Sequence, residues 1–356
     1  NDDKKLSLVV KILDQDLTVQ QTFGMDKMFA NEIAAYKIVV ERLNLQKLFP
    51  RCYYFCEDCP QIIVMEDIRL NGYRMADSMT WLSKEHITLA VKKLGFFHGR
   101  CYALKENNFE EFERICSLFD ECRYLDSDMN FTSIFNICAQ RGLRGLELEV
   151  NGDNNMKKFI EDMKAIFANS LDYARSLIKS TSPLSVLCHG DYLRNNVMYS
   201  YDEDNEPKDI MLLDLQTFRY ASPATDLSLF LFMHYKADKL IEDWDFFFSE
   251  YHNALITELS TAMKKSISDL PSYYSATNLG RDFAQYCLHG FFTASYFMGC
   301  MHDPITEDPR EFFFNATPEE VERDTMTRGG ETVTNALVKI LKFVKYIQAK
   351  YDYQNF

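Results

Sequence analysis

Three polar residues in the second half of the chain have the types and spacing that phosphoryl-transfer chemistry uses. The segment CHGDYLRNNVMY places Asp191 five residues before Asn196, and the later segment MLLDLQ adds Asp214 behind an apolar run. Phosphoryl transfer needs oxygen ligands for magnesium and a carboxylate beside the acceptor hydroxyl, with little covalent work for the protein. The three side chains could supply these groups. The alternative is a polar loop between two strands.

Electrostatics favour a bound cation over a purely structural role for the two carboxylates. Asp191 follows the apolar run VLC, and Asp214 follows MLL. Two carboxylates about 4 Å apart repel each other by roughly 4 kcal/mol at an effective dielectric constant of about 20. A divalent cation would remove that repulsion, whereas a structural role would leave it in place.

Two residues near the start of the chain complete the set in the order that kinases use. Lys11 lies in the apolar run LSLVVKIL, and Glu32 lies in the amphipathic segment that follows. A strand lysine oriented by a helix carboxylate contacts the α- and β-phosphates of ATP. Taken alone, Lys11 is more often an edge-strand charge and Glu32 a solvated helix residue. The common order of all five residues favours the phosphate hypothesis.

The elements that must position these residues fall into two groups. Apolar spacing predicts a strand over Leu6–Leu13, a helix over Met25–Leu43, and then two strands in RCYYF and QIIVMEDI. A short strand in SVLC precedes the polar loop. The segments NVMYSY and DIMLLD, joined through DEDNEP, predict a β-hairpin behind it. We therefore expect a small β-containing part over residues 1–68 and a linker near Glu66–Gly72.

The remainder of the chain, residues 69–356, has mostly helical patterns. Apolar positions predict one helix around Ile87–Phe97, a single long helix over Met156–Ile178, and a buried helix over Gly290–Met301. We expect a less regular helical insert between the first two, and Val333–Ile347 forms a final apolar face. The whole pattern predicts an α+β fold with two lobes.

Bulk composition excludes some classes of protein. The 356 residues are 47% hydrophobic and 26% charged, as in a globular protein too long for a single core. The 39 basic and 53 acidic residues give a net charge of −14, which disfavours nucleic acid and anionic membrane surfaces. No run approaches the roughly 18 apolar residues of a membrane span. Ten scattered cysteines favour reduced thiols and a cytoplasmic location.

Cysteine and histidine residues offer further candidates. Cys52, Cys56 and Cys59 cluster as zinc ligands do, but no fourth ligand lies nearby, which favours free thiols. His189 could be a general base. Because a carboxylate follows it two residues on, we expect this histidine to pack beneath the loop. We expect His98, in the apolar segment LGFFHG, to be a core residue.

The motifs HGDYLRNN, DLQ and SPATDL together resemble the ecdysteroid kinase-like (CHK kinase-like) family, which is related to choline and aminoglycoside kinases. The segments ANEIAAY, VMEDI with GYRMAD, and LGFFHG support the resemblance over nearly the whole chain. It implies a protein-kinase-like two-lobed fold, ATP and magnesium as cofactors, and a small hydroxylated substrate.

The resemblance also implies roles for individual residues. Asp191 would be the catalytic base, Asn196 and Asp214 would hold magnesium, Lys11 would contact the phosphates, and Glu32 would hold Lys11.

A second group of residues would shape the site. The backbone of Glu66, Asp67 and Ile68 would form the hinge that binds the adenine edge. Asp226 would brace the catalytic loop by accepting backbone N–H bonds.

The chain departs from the family pattern at two places. Leu193 stands where relatives commonly have tryptophan, and the neighbouring Arg194 could meet either a phosphate or solvent. Only five residues precede Leu6, so the glycine-rich loop and first two strands of the N-lobe are missing. We expect either a fragment of a longer chain or a weakened grip on nucleotide.

The function expected is ATP-dependent transfer of phosphate to a small alcohol, with an ecdysteroid-like sterol first and choline-like or xenobiotic alcohols behind. The alternative is a pseudokinase or a small-molecule-binding protein. The sequence indicates no oligomeric state. Aromatic residues between positions 225 and 301 could line a steroid pocket, although core packing is the more usual role: Phe230, Phe232, Tyr235, Trp244, Tyr286, Phe291, Phe292 and Tyr296.

Overall fold

A small antiparallel sheet carries Lys11 near the start of the chain. The computed structural model describes residues 7–17, 20, 24–58, 60–124, 129–150, 152–179, 182–305 and 317–353. Lys11 pairs with Ile63 on the central strand. The predicted strand Leu6–Leu13 is confirmed over its central residues, and Leu6 lies outside the described residues. The strands, in the spatial order β1-β3-β2, are β1 (Leu8–Ile12), β2 (Cys52–Cys56) and β3 (Ile62–Glu66).

One helix accompanies this sheet and carries Glu32. Helix α1 (Met25–Ala34) continues directly into a π-helical stretch, Ala35–Val40, so the predicted helix over Met25–Leu43 is confirmed for most of its length. Ile33 and Tyr36 are buried on it. A wider π-helical turn inside a helix frequently occurs near functional sites.

Helices dominate the rest of the chain, and its described residues contain four short strands between them. The division at residue 68 remains a prediction. The helices are α2 (Lys84–Asn107), α3 (Phe109–Cys116), α4 (Met129–Glu149), α5 (Asn154–Phe167), α6 (Ser170–Leu177), α7 (Ala224–His234), α8 (Leu240–Met263), α9 (Ala276–Tyr286), α10 (Leu288–His302), α11 (Pro318–Thr327) and α12 (Gly330–Lys350). The strands are β4 (Val186–Cys188), β5 (Val197–Tyr201), β6 (Pro207–Leu212) and β7 (Arg219–Ala221).

The catalytic-loop segment lies between two antiparallel strand pairs. Strand β4 pairs with β7, so that Cys188 lies opposite Arg219. Strands β5 and β6 form the predicted hairpin, in which Val197 lies opposite Leu212. The loop therefore leaves one pair and enters the other, and the residue after the hairpin is close to the residue before it.

Helix α2 packs very closely on α8, and two glycines make this possible. A Cβ on Gly95 would lie 2.3 Å from the carbonyl oxygen of Tyr251, and one on Gly99 would lie 2.6 Å from that of Leu255. Only glycine fits such an approach of two backbones. The close packing brings His98, between the two glycines, to the hydroxyl of Tyr251 at 2.8 Å.

The prediction of one long helix over Met156–Ile178 is wrong, because the chain breaks between α5 and α6. The carbonyl oxygen of Phe167 accepts hydrogen bonds from Gln140 Nε2 and Ser170 Oγ, both at 3.0 Å. Asn169 then takes a non-helical conformation with φ −134°. Side chains thus satisfy the backbone groups at the break, and apolar spacing alone cannot indicate this.

The later helices agree with their predictions. Helix α10 contains the predicted buried segment Gly290–Met301, and α12 buries Val333, Leu337 and Ile340. Among the described residues, no helix has both the length and the apolar character that a bilayer crossing requires.

Candidate active site

Lys11 joins the N-terminal sheet to the rest of the site. Its Nζ lies 2.8 Å from both carboxylate oxygens of Glu32 and 3.1 Å from Asp214 Oδ1. Glu32 is 1% exposed, whereas a third of the Lys11 side-chain surface is exposed to solvent. One cation therefore connects β1, α1 and the segment after β6.

Burial and charge act in opposite directions on this group. Burial raises the pKa of Glu32 to about 7, and Lys11 opposes that shift. Burial also lowers the pKa of Lys11, but the carboxylates of Glu32 and Asp214 outweigh it and hold that pKa above its ordinary value. Lys11 is thus a firmly charged ammonium group at the entrance to the site, as phosphate binding requires.

The loop after β4 has a backbone shape that only glycine permits at one position. Gly190 has φ +80°, and a Cβ there would lie 1.9 Å from the carbonyl oxygen of Thr217. Asp226, at the start of α7, accepts the N–H groups of His189 at 2.7 Å and Gly190 at 2.9 Å. Because both strands that flank the loop are short, the loop depends on these contacts to hold Asp191 in place.

Asp191 and Asn196 contact each other across the loop. Asn196 Nδ2 donates to the main-chain oxygen of Asp191 at 2.8 Å and to its Oδ2 at 3.0 Å. The N–H of Leu213 donates to the main-chain oxygen of Asn196 at 2.8 Å. Because Asp214 follows directly, the three residues predicted for metal and proton chemistry lie in one connected cluster. Asp214 itself has φ +64°, in the left-handed region.

The oxygen atoms of this cluster fit a hard divalent cation. The Asn196 amide directs its nitrogen at Asp191, and its Oδ1 accepts only a long contact of 3.4 Å from Asn195. Asp214 offers Oδ1 to Lys11 and Oδ2 to Gln216 Nε2 at 3.1 Å. Magnesium is commonly held by one or two protein carboxylates together with substrate phosphates and water. Asn196 and Asp214 are therefore the residues that would hold it.

A cavity of about 140 Å³ lies beside Lys11 and Asp214, between β3 and the hairpin. The rest of the cavity lining comprises Val9, Tyr36, Pro50, Met65, Glu66, Asp67, Ile68, Arg69, Met198 and Leu213.

The carboxylates of the predicted hinge are already engaged in protein contacts. Glu66 accepts from Asn71 Nδ2 at 2.7 Å.

Asp67, in the same hinge, is held by its neighbours. Its carboxylate accepts from the guanidinium of Arg69 and from the hydroxyl of Ser7, each at 2.7 Å. The bonds from Arg69 and then Ser7 hold the pKa of Asp67 well below its ordinary value. Glu66, Asp67 and Ile68 thus line the cavity beside Lys11, and their role as a hinge that binds adenine remains a prediction.

The two histidines are in structural positions. His189 is fully buried, and its Nε2 lies 2.9 Å from the carbonyl oxygen of Leu213, beneath the loop as expected. His98 is also fully buried, with Nε2 3.3 Å from Asp226 Oδ2. Both histidines therefore support the catalytic loop and its brace.

Arg194 and the cysteine cluster also have clear outcomes. Arg194 is 8% exposed, and its guanidinium group donates to the carbonyl oxygens of Ser78 at 2.5 Å and Ala76 at 3.2 Å, so it lies in the protein interior and not in solvent. Cys52 and Cys56 are free thiols in the described part of the chain. Cys59 lies outside the described residues.

Sequence reasoning missed Arg123. Its Nη2 contacts Asp191 Oδ1, and its guanidinium carbon lies 5.8 Å from the ring centre of Phe297 on α10. The residue lies in the irregular insert between α3 and α4, and no motif or periodicity indicated that it would reach a residue 68 positions later. The cluster therefore contains a second cation besides Lys11, and this one is paired with Asp191.

A second cavity of about 290 Å³ begins at Phe297. Tyr296 lines it, whereas the other seven aromatic residues considered for a steroid pocket are buried in the core. Core packing is thus the correct interpretation for most of them. The rest of the described lining comprises Ile134, Cys138, Ser295, Gly299, Cys300, Pro304, Ile305, Asp324, Thr325 and Arg328.

The sequence matches the model of the ecdysteroid kinase-like family over residues 1–263. No curated protein matches the chain by sequence. This match and the two-lobed arrangement confirm both the predicted family resemblance and the predicted protein-kinase-like α+β fold.

The comparison with solved structures found matches of low sequence identity and low TM-score. An ethanolamine kinase of Plasmodium vivax is 14% identical, with a TM-score of 0.40 over 96% of this chain and 78% of its own. A choline/ethanolamine kinase family protein of Mesorhizobium loti is 11% identical, with a TM-score of 0.36 over 93% and 86%. An aminoglycoside phosphotransferase of Streptomyces rimosus, in complex with ADP and streptomycin, is 14% identical, with a TM-score of 0.33 over 82% and 87%.

Proposed function

Because the chain belongs to the ecdysteroid kinase-like family, we propose that it is an ATP- and magnesium-dependent phosphotransferase that moves the γ-phosphate of ATP to a hydroxyl of a small molecule. The observation that carries the proposal is the position of Asp214. It contacts Lys11 at 3.1 Å and follows the residue that is hydrogen-bonded to Asn196. A phosphate-binding cation and the oxygen ligands for a metal thus meet at one residue.

The proposed reaction has a simple balance of bonds. The acceptor oxygen attacks the γ-phosphorus, its O–P bond forms as the bond to the leaving ADP oxygen breaks, and the hydroxyl proton passes to Asp191. Bound magnesium would neutralise charge on the phosphate oxygens, with Asn196 and Asp214 as its protein ligands. Lys11 would hold the α- and β-phosphates, and Glu32 would fix the ammonium group of Lys11.

The hinge cavity is the proposed place for the adenine ring, next to the backbone of Glu66, Asp67 and Ile68. The cavity at Phe297 is the proposed place for the acceptor, because Arg123 spans the space between that ring and Asp191. Its lining of apolar and aromatic groups with a few polar ones is typical of small-molecule sites. An ecdysteroid-like sterol is our first candidate acceptor, and the cytoplasm is the compartment that we propose.

The test is to incubate the protein with magnesium-ATP and a panel of ecdysteroids, choline and other alcohols, and to seek phosphate adducts by mass spectrometry. Asp191→Asn keeps the shape of the side chain and removes the base, so it should abolish the adduct while leaving the melting temperature nearly unchanged.

Two outcomes would count against the proposal. Full turnover by Asp191→Asn would remove Asp191 from the mechanism. Binding of magnesium-ATP without any adduct from a broad panel would favour a pseudokinase or binding protein.

A further inference from the structure

Two arginines, one buried and one partly exposed, contact the turn that carries Gly190 and Asp191. Arg219, on β7, is 6% exposed, and its Nε lies 3.1 Å from the position that a Cβ on Gly190 would take. Arg123 contacts Asp191, the next residue of that loop. The two guanidinium groups thus approach the same turn from different elements.

Both arginines have N–H groups that no protein atom satisfies. Among the residues that the structure describes, Arg219 Nε and Nη1 and Arg123 Nη1 are buried without a hydrogen-bond acceptor. A buried charged donor without an acceptor is costly, so such groups in native proteins need an explanation. An oxyanion that accepts from these N–H groups would satisfy several of them at once.

Glu121 contacts both arginines but does not satisfy their buried N–H groups. Its Oε1 accepts the backbone N–H groups of Arg123 at 2.7 Å and Tyr124 at 3.2 Å. Its Oε2 lies 3.4 Å from Arg219 Nε, close enough for an ion pair but without hydrogen-bond geometry. One carboxylate therefore fixes the backbone at Arg123 and partly balances the charge of Arg219.

A buried histidine lies close to the two arginines. His289 is buried, with Nε2 3.0 Å from the hydroxyl of Tyr124. Burial first, and then the charges of Arg219 and Arg123, lower the pKa of His289 to about 3. The histidine is therefore neutral, and both arginines are near enough to influence its pKa.

We propose that Arg123 and Arg219 form an oxyanion-binding site on the acceptor side of Asp191, which takes a phosphate or carboxylate group. Arg123 then exchanges its contact with Asp191 for the anion, and the Asp191 carboxylate becomes accessible to the acceptor hydroxyl. The site disfavours a cationic acceptor such as a quaternary ammonium alcohol, since two guanidinium groups face it.

Two sources could supply the anion: the transferred phosphoryl group, or an anionic substituent of the acceptor. Assigning the source rests on the proposed phosphotransferase function, whereas the site itself can be measured without turnover. The direct test is to measure the binding of inorganic phosphate to the full chain by isothermal titration calorimetry, without nucleotide or acceptor.

Four variants make this test specific. Arg123→Gln and Arg219→Gln should each weaken phosphate binding by roughly tenfold or more, because each removes charge-assisted hydrogen bonds. Glu121→Gln keeps an oxygen for the two N–H groups but removes the competing charge, so it should tighten binding. Arg144→Gln, at an exposed arginine on α4, should leave the affinity unchanged.

A final control separates this site from the nucleotide site. Lys11→Met should remove any phosphate bound at the nucleotide site and leave the binding that depends on Arg123 and Arg219. If the Lys11→Met protein binds no phosphate, or if the two arginine variants bind phosphate normally, the proposal is wrong. If Glu121→Gln weakens binding along with the arginine variants, the cluster is structural and the proposal is equally wrong. Should Arg219→Gln fail to fold, the partly exposed Arg123 decides the matter alone.

Turnover then identifies the source. If the anion is the transferred group, Arg219→Gln lowers kcat for every acceptor. If the anion belongs to the acceptor, the variant raises KM only for alcohols that carry a carboxylate or phosphate. Phosphate binding that depends on the arginines, without turnover of any acceptor, would refute the kinase proposal and retain the anion site. Turnover with arginine-independent phosphate binding would do the reverse.

Discussion

Asp226 Oδ1 accepts the backbone N–H of Gly190 at 2.9 Å, and its other oxygen accepts that of the preceding residue. The side chain is buried and also contacts His98. A carboxylate on α7 thus fixes the backbone conformation of the catalytic loop, so the loop depends on a helix that begins more than thirty residues later.

Asp226→Ala should therefore destabilise the protein and disrupt the loop. Each N–H left without an acceptor costs about 1–3 kcal/mol, so we expect the free energy of unfolding to fall by roughly 2–5 kcal/mol in urea titrations. Asp245→Ala is the matched control, since Asp245 is 70% exposed and pairs only with Lys350 on the surface. A loss no larger than that of the control would contradict the role of Asp226.

Gly190→Ala tests the shape of the loop independently of charge. The new methyl group would overlap the carbonyl oxygen of Thr217, and φ is +80°. We expect a loss of more than about 4 kcal/mol, or failure to fold. Gly152→Ala has nearly the same φ, +78°, but open space around the new Cβ, and should cost about 1 kcal/mol. Equal losses in the two variants would show that steric overlap at Gly190 is unimportant.

Glu32→Gln should weaken nucleotide binding without unfolding the chain. Glutamine cannot balance the Lys11 ammonium group, which would then turn fully to Asp214 at its present distance of 3.1 Å. We expect the Kd for magnesium-ATP to rise by roughly tenfold, since hydrogen bonds to charged groups contribute about 1.5–3 kcal/mol. Fluorescence titration with a labelled nucleotide measures this.

The control for Glu32 is another lysine–glutamate pair. Glu57→Gln breaks the exposed pair with Lys37, where both side chains are about half exposed. An exposed pair contributes little, so nucleotide affinity should not change. If the Glu32 and Glu57 variants behave alike, Lys11 does not contact the nucleotide.

Asp282 should make stability fall with rising pH. It is buried and accepts from the hydroxyls of Ser182 and Ser222, and burial raises its pKa from 3.8 to about 6. Between pH of about 4 and about 6 the folded chain binds more protons than the unfolded chain, so the free energy of unfolding decreases as pH rises. The decrease is at most about 3 kcal/mol, because each pKa unit corresponds to roughly 1.4 kcal/mol.

Urea titrations across that pH window measure the slope, and Asp282→Asn should flatten it because the amide does not ionise. Other carboxylates contribute to both curves, so the difference between them is the informative quantity. Parallel curves for the two proteins would mean that the folded environment does not shift the pKa of Asp282.

Cys300→Phe tests the acceptor cavity. Cys300 is partly buried and lines the cavity that begins at Phe297. A phenyl ring there should raise the acceptor KM, or remove binding, while the affinity for magnesium-ATP stays unchanged. A comparable fall in both affinities would mean general damage to the fold, and unchanged acceptor kinetics would place the acceptor elsewhere.

Short-range patterns made the loop and the hairpin predictable. The spacing of Asp191 and Asn196 is local, and the turn residues DEDNEP indicate where the strands on either side reverse. The pairing of Lys11 with Glu32 was also predicted, because both lie on strongly patterned elements that kinases place in a fixed order.

Contacts made by single side chains over long distances were not predictable. Arg123 reaches Asp191 from an insert without regular spacing, and nothing in its neighbourhood indicates which residue it meets. The break between α5 and α6 depends on Gln140, a residue of the previous helix that bonds to the carbonyl of Phe167. In both cases a polar side chain from elsewhere in the fold decides the local structure.

The left-handed backbone of Asp214 bears on how such a chain can diverge. Asparagine tolerates φ of +64° about as well as aspartate does, and the codons of the two amino acids differ at one base. One point mutation would thus remove the carboxylate that we propose as a metal ligand and leave the backbone intact. We expect Asp214→Asn to yield a folded protein that no longer transfers phosphate, so that an inactive descendant of the proposed phosphotransferase lies a single nucleotide away.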